Sequence, residues 1–206
     1  MCGRYYVDSD TADEIEKIIR RMDGKIIAGT DQTMRARDIH PTEAAPVLAA
    51  SNQKLCCCRQ RWGFPKQQEG ADFRGQGKQV IFNARSESAL EKRTFRESVR
   101  HRRIIIPAAG FYEWNRNREK STFYRKSQPV LFLAGFYHIY QGEERFVILT
   151  TEANESVKPV HDRMPLILEE DEMLPWIFDD EKTETFLSKK PCLLERKTEF
   201  EQMSLF

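Results

Sequence analysis

The chain lacks an apolar run that could cross a membrane. Its longest apolar stretch, residues 130–137, has eight residues, whereas a membrane-spanning helix needs about 20. The pattern of a secretory leader, a charged segment followed by an apolar one, is also missing from the first residues. The sequence therefore predicts a soluble protein that is located in the cytoplasm and has no membrane partner.

The cysteines lack the spacing of a disulfide framework or of a zinc site. There are five of them, an odd number, and neither a CxxC pair nor an HxxxH pair occurs. Three are consecutive, Cys56 to Cys58, and in a strand Cys57 would face away from its two neighbours. We interpret the triplet as buried structural residues, because free cysteine behaves as a small hydrophobe. No metal and no other cofactor is expected.

The chain has little net charge, +1 in total, so its composition carries no signature of nucleic-acid binding. The charges are nevertheless distributed unevenly. Residues 85–126 contain twelve Lys and Arg against five Asp and Glu, and residues 169–201 contain five against eleven. This asymmetry permits a basic face for a polyanion, although on charge alone an ordinary solvated surface is the simpler interpretation.

Helical periodicity occurs in three segments. In residues 11–22 the apolar side chains recur at the spacing of an amphipathic helix: Ile15, Ile18, Ile19 and Met22. Thr11 and Glu14 form a capping box that is expected to begin this helix, and a second box, Thr94 to Glu97, is expected to begin a shorter one. Residues 171–188 are predicted to return to helix.

The middle of the chain has the amino-acid composition of β-strands. Short runs rich in Ile, Val, Phe and Tyr cover residues 103–107, 122–126, 130–138 and 145–151. Turn signals between the last three runs predict an antiparallel meander. Because strands follow strands, a doubly wound sheet is not expected. The sequence predicts an α+β fold in a single domain, residues 1–206, with a polar insertion at residues 66–78.

The second residue of the chain is a cysteine. Removal of Met1 would leave Cys2 with an α-amine whose pKa is about 8 beside a thiol whose pKa is about 8.5. Such a 1,2-aminothiol can form an imine with an aldehyde, after which the thiol closes a five-membered thiazolidine. No internal cysteine can do this. By itself, however, a cysteine at position 2 is more often an accident.

Three further segments place side chains of catalytic type in restricted surroundings. Glu113 lies between two aromatic residues, which should raise its pKa, and a solvent-facing strand end is the alternative. His161 lies between two prolines, where it could titrate near neutrality or belong to a structural loop. Asn83 and Arg85 stand two residues apart at an expected helix entrance, which suits anion binding, although an ordinary N-terminal cap explains them almost as well.

Taken together, these segments resemble the SOS-response-associated peptidase family, also called the SRAP domain. Its motifs occur in order along nearly the whole chain: Met1-Cys2-Gly3-Arg4, Ile39-His40-Pro41-Thr42, Arg61-Trp62-Gly63, Asn83-Ala84-Arg85-Ser86-Glu87, Gly110-Phe111-Tyr112-Glu113-Trp114, Thr150-Thr151-Glu152-Ala153-Asn154 and His161-Asp162-Arg163-Met164-Pro165. The chain departs from the family pattern at Phe64-Pro65, after which a second tryptophan usually follows. The resemblance implies a barrel-like, mostly antiparallel β core with peripheral helices.

The resemblance also implies a function. Family members are sensors of abasic sites in single-stranded DNA, so the chain is expected to form a covalent DNA-protein crosslink through Cys2 after Met1 removal. It is expected to act as a monomer and to associate with the nucleoid when DNA-bound. The imine intermediate would also permit abasic-site lyase activity, because it acidifies the neighbouring carbon for β-elimination.

Residue roles follow from the same resemblance. The implied catalytic residues are Cys2 as the covalent residue, Asn83 orienting its amine, Glu113 as the proton shuttle and His161 near the sugar ring oxygen. The implied DNA-binding residues are Arg4, Arg85 and Arg163 as phosphate clamps, and Pro41, Trp62 and Trp114 as apolar surfaces for neighbouring bases or as walls of the site.

Two other interpretations stay open. In a peptidase or amidase, the Cys2 thiolate would attack a carbonyl with His161 as the base, and removal of Met1 would be its smallest reaction. The sequence discriminates poorly against this interpretation, because the same residues serve it. A plain single-strand-binding module would use stacking and basic contacts, and it is disfavoured because binding alone needs no N-terminal cysteine.

Overall fold

The computed structural model of the protein describes residues 2–22, 25–26, 36–66 and 80–199. The strands are β1 (Tyr5–Val7), β2 (Lys25–Ile26), β3 (Arg37–Ile39), β4 (Ala44–Ser51), β5 (Lys54–Trp62), β6 (Phe64–Pro65), β7 (Val80–Ile81), β8 (Asn83–Arg85), β9 (Arg103–Ala108), β10 (Gly110–Trp114), β11 (Lys120–Tyr124), β12 (Leu131–Tyr140), β13 (Glu143–Glu152), β14 (Arg163–Pro165), β15 (Ile167–Leu168) and β16 (Glu195–Glu199). The α-helices are α1 (Ser9–Arg21), α2 (Arg96–His101), α3 (Met173–Phe178) and α4 (Thr183–Leu187). Beyond Lys66, the insertion predicted at residues 66–78 lies outside the described residues.

Five strands close into a barrel at the centre of the molecule. Strands β13, β12, β9, β4 and β5 are neighbours in that order, with antiparallel pairing throughout. The ring closes where β5 pairs in parallel with β13, with Trp62 opposite Phe146. The helices lie around this core, since their apolar side chains share one cluster with barrel residues such as Ile105 and Val147. The predicted α+β fold with a barrel-like, mostly antiparallel core is confirmed.

Strand β5, which carries the cysteine triplet, packs against a hydrophobic cluster on each of its two faces. Cys57 belongs to the cluster that contains the helix residues, whereas Cys58 packs against a second cluster on the opposite side. The side chains of consecutive residues in a strand point to opposite faces, and both faces here are covered. The predicted burial is confirmed for Cys56 and Cys57, whereas Cys58 is only half-buried.

A five-stranded sheet covers the second cluster, in the order β16-β11-β10-β1-β3. Its inner face carries Tyr5, Ile39, Phe111 and Phe123, which are fully buried. They pack in one cluster with barrel side chains such as Ile148. The outer face of this sheet is the surface of the protein, and the N-terminal segment enters the fold at its β1 strand.

The predicted meander is wrong in part. Strands β12 and β13 form the expected antiparallel hairpin, with Gly135 opposite Ile148. Strand β11, however, pairs with β10 and β16 in the other sheet. The turn signal at residues 128–129 marks a change of direction correctly, but a turn does not specify which sheet the next strand joins, and here the chain crosses from one sheet to the other.

The predicted helices are confirmed, but their predicted capping boxes are wrong. Helix α1 begins at Ser9, and its N-cap is Asp8, whose carboxylate accepts from the Thr11 amide at 2.8 Å and from the Thr11 hydroxyl at 2.6 Å. Thr11 is therefore an interior residue, and its hydroxyl also donates to the Pro129 carbonyl. Helix α2 begins at Arg96 without a side-chain cap. None of the helices in the described ranges is long and apolar enough to cross a membrane.

Candidate active site

The cysteine at position 2 lies inside the protein. Its side chain is fully buried, and its thiol lies 3.8 Å from the carbonyl oxygen of Arg4. The backbone of this segment is held by β10, because the Tyr112 amide donates to that same carbonyl at 3.0 Å. Met1 itself lies outside the described residues. The pairing of β1 with β10 thus positions Cys2 near the end of β10, where Glu113 and Trp114 stand.

Asn83 holds the backbone of Cys2 from the other side. Its side-chain amide donates to the Cys2 carbonyl at 2.8 Å, and its position comes from β8, which pairs in parallel with the barrel strand β13. The other polar atom of this side chain, Oδ1, is buried without a hydrogen-bond partner in the part of the chain that the structure describes. A buried acceptor without a partner is costly, so this oxygen is available to a donor that arrives later.

Glu113 is a buried carboxyl group at the inner face of β10. Its side chain is only 3% exposed, and burial raises its pKa to about 7. The two buried groups affect each other, because Glu113 is, after burial itself, the second cause that raises the pKa of the Cys2 thiol. The thiol is therefore neutral at physiological pH, while Glu113 can take up and release a proton there.

The raised pKa of Glu113 predicts a stability cost that the Glu113→Gln variant should remove. Between its ordinary pKa of 4.5 and the folded value of about 7, the folded protein retains a proton that the unfolded chain releases, so stability falls as pH rises through this window. Glu113→Gln should therefore raise the free energy of unfolding by about 3 kcal/mol at pH 8 and have little effect near pH 4. Urea unfolding at both pH values measures this difference.

Glu143→Gln is a control for which the expected change in stability has the opposite sign. Its pKa is lowered, first by the hydrogen bond from Arg61, at 2.5 Å. Glu143→Gln should therefore destabilise the protein at pH 8, and this effect should disappear as pH falls through the lowered pKa. If Glu113→Gln were as destabilising at pH 8 as Glu143→Gln, the charged form of Glu113 would not lower the stability of the folded protein as expected.

His161 is held as a neutral imidazole. Its Nδ1 accepts a hydrogen bond from the backbone amide of Arg163 at 2.9 Å, which leaves Nε2 to carry the proton. The Asp162 carboxylate, 2.9 Å from the same Nδ1, favours a charged ring, but burial is the larger influence and lowers the pKa of His161. The ring can thus donate a hydrogen bond from Nε2 at neutral pH.

Arg163 is positioned by a carboxylate and a backbone carbonyl. Its guanidinium makes a bidentate pair with Glu87, at 2.6 and 2.8 Å, and donates to the Thr150 carbonyl at 2.7 Å. The hydrogen bond from Arg163 is also the first cause that lowers the pKa of Glu87. Such fork-to-fork pairs hold a guanidinium in a defined orientation. The Nε atom is buried and has no hydrogen-bond partner among the described residues.

A cavity of about 820 Å³ lies beside this pair. Its lining includes Arg85, Arg163 and Lys158 together with Glu87 and Asp162. Arg85 is exposed, at the end of β8, and the segment that follows it is a single 3₁₀ turn, Ser86–Ser88. The helix entrance predicted here is thus a single 3₁₀ turn rather than the start of an α-helix, and anion binding would depend on the arginine side chains.

Arg4 and Trp114 contact each other at the surface of the protein. The guanidinium of Arg4 lies 5.3 Å from the centroid of the Trp114 ring and 6.0 Å from that of Tyr112. An oxygen of Asp38 lies 3.7 Å from the same guanidinium. Arg4 and Trp114 are both partly exposed, so this arginine and this indole form one surface that a ligand can reach.

Pro41 lies in a strained turn. The Glu43 amide donates to the His40 carbonyl at 3.1 Å, and Thr42 adopts a φ of +79°. A β-branched residue rarely adopts this conformation, and such strain persists only where surrounding contacts enforce it. Here Thr42 donates its amide to the Trp62 carbonyl at 2.8 Å and accepts from Arg61 at 2.7 Å. The turn presents a half-buried Pro41 at the surface.

Trp62 is buried, so it does not offer a surface to a base. Its ring is fully buried, its Nε1 donates to the Phe82 carbonyl at 2.8 Å, and it packs against Tyr5 and Phe146. Stacking on a base is therefore not possible for this residue in this conformation. Of the two roles implied for it, the wall of the site is the one that its position permits.

A family model described as "SOS response associated peptidase (SRAP)" matches residues 1–204. The chain belongs to this family. Abasic site processing protein YoaM of Bacillus subtilis is 31% identical over 188 residues, covering 86% of this chain and 79% of YoaM. Abasic site processing protein YoqW, also of Bacillus subtilis, is 30% identical over 194 residues, covering 86% and 80%. HMCES of Xenopus tropicalis, likewise called an abasic site processing protein, is 31% identical over 117 residues, covering 44% and 35%.

Solved structures share the fold of this SRAP chain. A protein from Bacteroides thetaiotaomicron has a TM-score of 0.75 at 20% identity, covering 97% of this chain and 93% of that one. A protein from Bordetella bronchiseptica has a TM-score of 0.71 at 21% identity, covering 97% and 100%. At this level of identity the comparison shows the fold alone.

Two residues of this SRAP site were not predicted to have a role. Glu87 holds Arg163. It is the last residue of the motif Asn83-Ala84-Arg85-Ser86-Glu87, so the motif could have identified it as a residue of the site. Asp38 contacts Arg4 and accepts from the Tyr112 hydroxyl at 3.0 Å. No sequence pattern marks Asp38, because its partners Arg4 and Tyr112 are distant from it in sequence and are brought near only by the order of the strands.

Proposed function

We propose that this protein recognises abasic sites in single-stranded DNA and becomes covalently linked to them through Cys2 once Met1 has been removed. Family membership and relatives named abasic site processing proteins support the substrate. The observation that carries the chemistry is the position of Cys2, buried between Asn83, which holds its carbonyl, and a carboxyl group that titrates near pH 7. The protein acts as a single domain, and as a monomer.

The proposed reaction begins at the amine of Cys2. The ring-opened abasic sugar presents an aldehyde, and attack by the neutral amine forms a carbinolamine. Loss of water then gives the imine, and addition of the thiol across its C=N bond forms the C–S bond of the thiazolidine while the proton of the thiol passes to nitrogen. No oxidant or reductant is needed, and water is the only molecule released.

The side chains around Cys2 match the demands of these steps. The unpartnered Oδ1 of Asn83 can accept from the amine and orient its lone pair toward the aldehyde. Glu113 can take the proton that the amine loses and return it to the departing hydroxyl, because a group with a pKa near the working pH serves in both directions. The Nε2–H of His161 can donate to the sugar ring oxygen as the ring opens.

Three arginines would position the strand by its phosphates. Arg85 and Arg163 line the cavity, and Arg4, two residues from Cys2, lies against Trp114. A strand whose lesion is held at Cys2 could therefore be bound through its phosphates by these side chains. Elimination from the imine would require loss of a proton at the sugar C2′ and cleavage of the C3′–O bond, which would make lyase activity a side reaction of the same site.

The peptidase interpretation is less well supported. A cysteine peptidase attacks with a thiolate, which needs a lowered pKa, whereas burial raises the pKa of the Cys2 thiol far above its usual range. The neutral imidazole of His161 is engaged through Nδ1 by a backbone amide. Imine formation needs the amine first and the thiol only afterwards, so a neutral thiol is compatible with it. A binding module alone would leave these buried groups without a use.

Intact mass spectrometry tests this proposal. Protein that has lost Met1 should gain the mass of a single-stranded oligonucleotide that carries one abasic site, and an oligonucleotide with tetrahydrofuran at that position should give no adduct because it has no aldehyde. A blunt duplex with an internal abasic site should react more slowly, because its bases remain stacked and paired. The proposal is wrong if Met1-free protein gives no adduct, and its strand preference is wrong if both substrates react equally fast.

A further inference from the structure

His161 lies in the loop that connects β13 to β14, residues 153–162, which we call the histidine loop. The two ends of this loop are joined, because the Ala153 amide donates to the Asp162 carbonyl at 2.9 Å. Between them the chain forms a compact turn, at the end of which the His161 amide donates to the Val157 carbonyl at 3.1 Å. The backbone position of His161 therefore depends on the conformation of this turn.

Asn154 begins the turn with both its backbone and its side chain. Its backbone carbonyl accepts from the amides of Val157 and Lys158, at 3.1 and 2.9 Å. Its side-chain Oδ1 accepts from the Ser156 amide at 3.1 Å and from the Ser156 hydroxyl at 2.6 Å. Asparagine and aspartate both begin turns in this way, so an aspartate could make these contacts equally well.

The two donors of the Asn154 amide group lead outside the loop. Nδ2 donates to the carbonyls of Pro191 and Cys192, at 3.1 and 2.8 Å. An aspartate could not make these hydrogen bonds, because an ionised carboxylate has no donor. In the same C-terminal segment, the Leu194 amide donates to the Ser156 hydroxyl at 3.2 Å. The Asn154 side chain thus uses its full hydrogen-bonding capacity to join the turn to that segment.

Both of the segments that Asn154 joins are anchored in the core. Val157, in the turn, is fully buried, and Leu194, in the C-terminal segment, is buried as well. Both belong to the cluster that contains Cys2 and side chains of the barrel. Leu194 is followed directly by β16, which pairs with β11. Asn154 therefore connects two segments that the core already holds, and this connection restricts the turn that leads to His161.

We infer that Asn154 is a positioning residue for His161, which it holds in place by joining the turn of the histidine loop to the C-terminal segment. This inference rests on the proposed function, in which His161 donates to the sugar ring oxygen as the ring opens. None of the roles implied by the family resemblance falls on Asn154, although it is the last residue of a family motif. The inference requires substitutions of Asn154 to affect only the step that His161 serves.

Two single-stranded substrates test the inference with Met1-free protein. One carries a natural abasic site, whose sugar ring must open before the aldehyde can react. The other carries an open-chain aldehyde at the same position and lacks the C4′ hydroxyl, so it cannot close into a ring. Asn154→Asp keeps the acceptor for Ser156 but loses both donors. It should slow crosslinking to the natural site by about tenfold or more, because a misplaced catalytic group loses much of its effect. The open-chain substrate should react at the wild-type rate.

A double-mutant cycle identifies the group through which Asn154 acts. His161→Ala should slow crosslinking to the natural site at least as much as Asn154→Asp does. In the His161→Ala background, Asn154→Asp should change this rate by less than about twofold, because the imidazole that it positions is already absent. The DNA concentration at half-maximal rate should stay the same in Asn154→Asp, since the Arg163 guanidinium is held by Glu87.

Two further variants control for structural effects. The Asp8 carboxylate caps helix α1 through Thr11, so Asp8→Ala lowers stability at a place outside the histidine loop. It should crosslink both substrates at the wild-type rate. If Asn154→Asp protein does not fold, Ser156→Ala replaces it, because this change removes the hydroxyl that links Asn154 to the Leu194 amide. Ser156→Ala should slow only the natural site, by a smaller factor.

The outcomes separate the inference from the proposed function. If wild-type protein gives no adduct with the natural abasic site, the proposed function fails and the inference fails with it. If His161→Ala reacts with that site at the wild-type rate, the role of the imidazole is wrong, and so is the inference. If only the inference is wrong, Asn154→Asp slows neither substrate or slows both equally, or its effect multiplies with that of His161→Ala in the double variant.

Discussion

Cys2→Ala protein is expected to lose its heat-stable adduct with abasic single-stranded DNA completely. The substitution keeps the α-amine, so the imine can still form and hydrolyse, but it removes the sulfur that closes the thiazolidine ring. Borohydride should still trap the variant on the DNA, because it reduces the imine to a stable amine. A denaturing gel after heating, run with and without borohydride, measures both species.

A second buried cysteine provides the matched control. Cys57 is fully buried in the helix-side cluster of the barrel, so Cys57→Ala removes the same sulfur from the core without touching the reaction. It should form the heat-stable adduct as wild-type protein does, once allowance is made for any loss of stability. An equally heat-stable adduct from Cys2→Ala without reductant would exclude the thiazolidine.

Glu113→Gln should slow crosslinking by about 10²-fold or more, the usual contribution of a positioned acid or base. Glutamine keeps the shape of the side chain but cannot transfer a proton. Wild-type protein should react more slowly as pH falls below about 7, since Glu113, with a pKa of about 7, becomes protonated there and cannot accept a proton from the amine. The variant should lose the part of this acidic limb that Glu113 contributes and keep the part that comes from protonation of the α-amine, yet reach the same final adduct after long incubation.

His161→Ala separates the crosslinking mechanism from the peptidase interpretation. It should slow the reaction, because help at the sugar oxygen is lost, while a thiazolidine that has formed should persist. The peptidase interpretation requires His161 to activate the thiol for removal of Met1. Both variants are produced in a host that has its own aminopeptidases. Time courses of adduct formation and the fraction of protein that retains Met1 then distinguish the two interpretations. Retention of Met1 in His161→Ala, together with an unchanged rate in Glu113→Gln, would favour the hydrolase.

Much of the fold could be predicted because its signals are local. The spacing of Ile15, Ile18 and Ile19 indicates a helix by itself, and the strand of three isoleucines before Ala108 needs no tertiary partner to be recognised. Chain position was also informative, since only a residue at position 2 can become an N-terminal aminothiol. The family motifs then identified Asn83, Glu113 and His161 as residues of one site.

Pairing between distant segments could not be predicted in the same way. Strand β11 has the composition of a meander strand, but it joins β10 and β16 because hydrogen-bond partners are chosen by the packing of two sheets. Helix α1 uses Asp8 as its cap, because the Thr11 side chain is committed to the interior. Trp62 belongs to a family motif, but in the fold it packs against Tyr5 and is covered. A motif does not show whether its side chains are accessible, because that depends on the segments that pack over them.

The sequence by itself determined which chemistry the chain can perform, because the aminothiol, the carboxyl group and the imidazole are properties of residue types and of chain position. The tertiary structure decided the protonation states and directions of these groups. Burial, which no local pattern encodes, raises the pKa of Glu113 to about 7 and keeps the Cys2 thiol neutral. Strand alternation on β10 turns Glu113 inward and Tyr112 outward. One short segment therefore contributes both to the buried site and to the outer face, because the barrel covers only one face of this strand.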